Sequence, residues 1–71
     1  MVDWPVWCRD DGSVVACTEK IKVMQDNFTE IQQMMQDAFE DGLLMAVSAQ
    51  QMRVMLHQMV DDLVDPYRAA S

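Results

Sequence analysis

Basic charge is in short supply in this chain. Five Lys and Arg residues stand against 12 Asp and Glu, for a formal net charge of −7. An acidic surface is repelled by phosphate backbones and anionic headgroups, which argues against nucleic-acid and membrane partners. Long apolar runs are missing as well: none reaches the roughly 18 consecutive residues that a spanning helix needs. Met1-Val2-Asp3-Trp4-Pro5 has neither the basic nor the apolar region of a secretory signal, so the expected location is the cytoplasm. Gly-rich phosphate loops, dinucleotide fingerprints, Ser–His–Asp spacings and basic patches with interleaved aromatics are all lacking. The expectation is a protein with no cofactor and no catalytic chemistry of its own.

Glycine, proline and cysteine are scarce, with two of each. Few breakers in 71 residues imply long, uninterrupted elements. Cys8 and Cys17 are separated by eight residues, unlike the two-residue spacing of zinc knuckles or thioredoxin-like motifs. In a reducing compartment both are expected as thiols.

What is present is helical periodicity. Ile21, Met24, Phe28, Ile31, Met35, Ala38 and Gly42 recur at alternating steps of three and four. That is the seam of a helix packed along another helix. Met34 and Phe39 edge it. The opposite face carries Asp26, Glu30, Gln33, Asp37 and Glu40, with Lys22 as its one base. Thr18 is the expected N-cap, with Glu19 in the first turn favoured by the helix dipole. The end is open between two readings. Gly42 can serve as the C′ residue, or the helix runs on to Met45; continuation is preferred because the seam continues.

The next start signal is Ser48-Ala49-Gln50-Gln51, a capping box, with Val47 and Met52 as its hydrophobic staple. It predicts a second helix from Ala49 to about Val64, stopped by Asp65-Pro66. Its seam is Ala49, Met52, Leu56, Met59 and Leu63, widened by Met55, Val60 and Val64. The short connection predicts antiparallel helices, about 42 Å and about 25 Å long.

Residues 1–17 read differently. Val6, Trp7, Val14 and Val15 are strand formers around Asp10-Asp11-Gly12-Ser13, a turn signal. They predict a short β-hairpin, Trp4–Cys8 with Ser13–Cys17, lying on the helices through Trp4 or Trp7. An Asp11-Gly12 loop pairs Cys8 with Val15, whereas a Gly12-Ser13 loop pairs Cys8 with Cys17. Pro5 marks an edge-type strand.

The expected architecture is a single domain, 1–71, mainly α. It comprises a β-hairpin arm (1–17), a long helix (18–45), a shorter helix (48–64) and a tail (65–71) in which Tyr67 docks on the core. So short a chain buries only ~60% of its unfolded surface and needs support from outside. Both seams are too wide for one copy to cover. Completion as a four-helix bundle in a homodimer or higher homo-oligomer is therefore expected.

Eight methionines are present, six of them on or beside the seams. Met fills irregular gaps in cores and self-interfaces and suits adaptable grooves. The expected interface residues are Met24, Phe28, Ile31, Met35, Met52, Met55, Leu56 and Met59. Asn27, inside the apolar arc of the long helix, is the candidate for fixing register or oligomer state. The functional expectation is a small, acidic, self-associating adaptor or regulatory module, with a basic protein as a possible partner for its acidic face. The alternative is a thiol or metal site built from Cys8, Cys17 and His57, which would need a fourth ligand. His57 shares a helix edge with Arg53 and Asp61, a spacing more typical of surface ion pairs than of catalysis.

Overall fold

A computed structural model describes residues 3–68. It contains two helices, α1 (Thr18–Leu44) and α2 (Ala49–Asp61). The chain divides into two compact units, Met1–Met34 and Met35–Ser71, so the boundary falls within α1.

In the first unit the expected β-hairpin is overturned. No β-strand forms among the described residues, and a single antiparallel bridge joins Cys8 to Val14. Between them the chain makes a tight turn. The Gly12 amide donates to the Arg9 carbonyl at 2.9 Å, and the Arg9 amide to the Ser13 carbonyl at 2.8 Å. Gly12 sits at φ 87, where a residue without Cβ is at ease. Asp11 holds the turn from inside: its carboxylate accepts the Ser13 amide at 2.9 Å. The loop therefore has three residues, and neither two-residue register is realised.

The reason pairing stops is local. The Val15 amide reaches the Trp7 carbonyl at 2.8 Å. The next hydrogen-bonded pair in that register would be Pro5 with Cys17, and Pro5 has no amide proton to give it. At Cys17 the chain already turns into α1, whose first bond runs from the Ile21 amide to the Cys17 carbonyl at 3.0 Å.

That bond also corrects the start of α1. Cys17 occupies the cap position and Thr18 is the first helical residue. The aromatic part of the expectation holds in another form. Trp7 stacks on Phe28 with centroids 5.6 Å apart and planes 6° from parallel. Trp4 lies 6.4 Å from both rings. An irregular segment, pinned by two indoles, thus covers the N-terminal end of the α1 seam. Ile21, Met24 and Gln25 are half-buried there.

In the second unit the end of α1 and all of α2 form a helical hairpin. The helix continues through Gly42 and ends in a Schellman motif. The Val47 amide donates to the Gly42 carbonyl at 2.9 Å and the Ala46 amide to the Leu43 carbonyl at 3.0 Å. Ala46 takes the left-handed position, φ 66, that glycine usually fills. Gly42 is the one described residue that is fully buried. A Cβ on it would come within 2.7 Å of the Met52 methyl carbon and 3.0 Å of its Cγ, so the absence of a side chain permits the close approach of the helices.

Ser48 caps α2 as expected: its hydroxyl accepts the Gln51 amide at 3.1 Å. Val47 and Met52, the staple pair, are both half-buried. The helix stops at Asp61, three residues short of the expected Val64. Its last turn holds no base, and Asp61 and Asp62 put like charges at the negative end of the helix dipole. The proline restricts only Asp65, so the stop comes from the acids before it. Tyr67 is 95% exposed and does not dock; its amide bonds instead to the Asp65 carboxylate at 2.8 Å.

Candidate interaction surface

No described hydrophobic side chain is fully buried. The exposed apolar surface includes the middle of the α1 seam. In that stretch Phe28 is 45% exposed, Ile31 49%, Met34 73% and Met35 38%. The indoles of Trp4 and Trp7 pack on Phe28.

Beside this stretch lies an open depression of about 280 Å³, lined by Asn27, Glu30, Ile31 and Met34. Its residues step by three, one and three along one helix, so they form one patch on the face of α1. Asn27, the expected specificity residue, is therefore at the edge of exposed apolar surface. The wet face behind it is fixed by local pairing. Lys22 donates to Asp26 at 2.8 Å, and this bond and charge raise the lysine pKa. Both groups are well exposed, so the pair contributes little to stability.

The expected interface residues divide into two groups. Met24, Met52 and Leu56 are half-buried within their own units, while Phe28, Ile31, Met35, Met55 and Met59 are exposed. In the second unit Arg53 lays its guanidinium over the Phe39 ring, 4.9 Å from the centroid, a cation–π contact. No sequence signal singled out this pair.

The thiol and metal candidates are not brought together. Cys8 faces Val14 across the turn, both cysteines are exposed and free, and His57 lies on α2 in the other unit. Among the described residues no three His, Cys, Asp or Glu side chains gather as a metal site. Cys17 has a local role. Backbone amides of Lys20 and Glu19 point at its sulfur and pull the thiol pKa below its ordinary value. Its place at the helix N-terminus explains the direction, because the first amides and the helix dipole favour an anion. The cap position was assigned to Thr18 in the sequence, so this feature was missed.

Among the described residues no helix is long and apolar enough to cross a membrane. No protein-family model matches the chain, and no curated protein or solved structure matches it either.

Proposed function

We propose that this chain is a small acidic interaction module that works by binding, first to a further copy of itself, and that it performs no chemistry of its own. The observation that carries the reading is the run of exposed apolar residues on α1 from Phe28 to Met35. Contiguous apolar surface of this kind marks contact sites in soluble proteins. A chain in which no described hydrophobic side chain is buried gains stability by covering such a stripe with a partner. The outer face of the same helix, rich in Asp and Glu, stays in water and is available to a basic protein.

Sedimentation equilibrium over a wide concentration range tests the reading. The wild-type chain is expected to associate in the micromolar range. Ile31→Glu is expected to shift it to monomer while leaving helical circular dichroism in place. Covering an isoleucine is worth about 1.5–3 kcal/mol, so its loss from both copies weakens a dimer by roughly a hundredfold or more. A wild-type chain that stays a folded monomer at high micromolar concentration would sink the proposal.

A further inference from the structure

The helical hairpin of the second unit has two flanks, and they differ. We infer that the flank holding Ala38, Met55 and Met59 is the seat of a basic amphipathic helix from another protein. This deepens the binding reading and rests on it. It uses none of the stripe from Phe28 to Met34, so it can fail independently of self-association.

Two contacts place the flanks. The Met52 side chain lies against Gly42, and the Arg53 guanidinium lies over the Phe39 ring. Moving toward the start of α1 thus goes with moving toward the end of α2, and Ala38 stands level with the turn between Met55 and Met59. A helix turns ~100° per residue. Counted from Met52, Arg53 stands about 100° to one side; counted from Gly42, Phe39 stands about 60° to that side. These two side chains close one flank, and Phe39 is half-buried there. Met55 and Met59 stand about 60° and 20° to the other side of Met52, and Ala38 about 40° to the other side of Gly42. Ala38 is exposed, and each methionine is 56% exposed. A small residue on α1 beside two long ones on α2 makes a shallow apolar groove. Its thioethers can repack around side chains of different shape.

Charge identifies the occupant. Asp41 stands about 100° from Gly42 and Asp62 about 80° from Met52, both toward this open flank, so a carboxylate borders it on each helix. The Gln58 side-chain amide holds the Asp62 carboxylate at 2.9 Å, and a neutral donor leaves its charge in place. Asp62 is also the C-cap of α2, where the dipole is negative and the last turn holds no base. The described residues of the unit include six Asp and Glu against two Arg. Of the two, Arg53 lies on the closed flank and Arg68 is bonded to Asp65 at 3.3 Å. An apolar groove with acidic borders is matched by a helix that carries an apolar stripe with Lys or Arg beside it. A further copy of this chain, with a net charge of −7, brings acids against these acids.

Fluorescence anisotropy on the full chain tests the seat. The probe is a labelled peptide of about 18 residues, ~27 Å long as a helix, with Leu on one face and Lys on the other. Its counterpart carries Glu in place of Lys. The Lys peptide is expected to bind and the Glu peptide is not. Ala38→Lys fills the groove and should weaken binding of the Lys peptide about tenfold or more. Val60→Lys adds the same charge on the closed flank and should leave binding within about twofold. Asp41→Asn keeps the packing and should weaken binding about threefold. Circular dichroism checks that each variant retains the helix content of wild type. Equal binding of the two peptides, equal loss in Ala38→Lys and Val60→Lys, or no loss in any variant overturns the seat. Sedimentation reads self-association separately. A chain that associates but binds no Lys peptide overturns the seat alone, and a monomer that binds the Lys peptide in the expected pattern supports the seat without self-association. A monomer that binds neither peptide overturns both.

Discussion

Gly42 and Met52 offer a test of the second unit in which the sign of an effect should reverse. Gly42→Ala in an ordinary exposed helix stabilises by about 1 kcal/mol, since Gly loses more backbone freedom on folding. Here the new Cβ would lie 2.7 Å from the Met52 methyl carbon and 3.0 Å from Cγ, with the sulfur nearer still. The methyl end can swing away. Cγ moves only if the whole side chain changes rotamer, and that would pull Met52 off its half-buried seat. Overpacking of this kind costs about 1–3 kcal/mol. The net expectation for Gly42→Ala is a loss of up to about 2 kcal/mol.

Met52→Ala alone removes a half-buried side chain and costs roughly 1–2 kcal/mol. In that background the obstruction is gone, and Gly42→Ala should stabilise by about 0.5–1 kcal/mol through propensity alone. The coupling energy is then about 1–3 kcal/mol, well above the roughly 0.5 kcal/mol expected of independent sites. Urea unfolding followed by circular dichroism at one fixed protein concentration measures all four chains, since association would shift the midpoints otherwise. If Gly42→Ala changes stability equally in both backgrounds, the close approach of the two helices at this point is wrong.

Three further outcomes follow from named residues. Ala46→Gly should stabilise by about 0.5–1 kcal/mol. The left-handed conformation at φ 66 costs alanine roughly 1–2 kcal/mol, of which glycine's extra freedom in the unfolded chain returns part; a loss in thermal unfolding would contradict this. Ser48→Ala should cost about 1 kcal/mol by removing the acceptor of the Gln51 amide, and Ser48→Asp should largely preserve stability in the same melt. Cys17 should be alkylated by iodoacetamide near neutral pH faster than an unperturbed exposed thiol, because its lowered pKa leaves more thiolate. The linkage has a definite sign. A depressed folded pKa makes the capping thiolate stabilising above the unfolded value near 9.0, and that contribution is lost as pH falls through the folded value. Stability that falls as pH rises through this window in wild type, relative to Cys17→Ser, would refute it.

Periodicity and caps were enough to locate both helices, though not the N-cap of α1 or the end of α2. The α1 seam, its continuation through Gly42, the Ser48 cap and the brief connection before α2 all follow from interactions within a few residues of sequence, which is why they were legible there. The stretch from Phe28 to Met35 was legible as an apolar stripe too wide for one copy to cover, and Phe28, Ile31 and Met35 are exposed. The N-terminal segment was different. Its β-forming residues were read correctly as residue types, but a hairpin needs a ladder, and pairing stops at one bridge between Cys8 and Val14, with Pro5 unable to donate and Cys17 at the start of the helix beyond it.

Tertiary structure alone decided which apolar residues find company. Trp7 lies flat on Phe28, so the start of the seam is sheltered, and Met52 fits against a residue with no side chain, so its end is closed. Sequence spacing fixes the direction in which a side chain leaves its helix. What stands opposite depends on segments far along the chain, and no local preference specifies that.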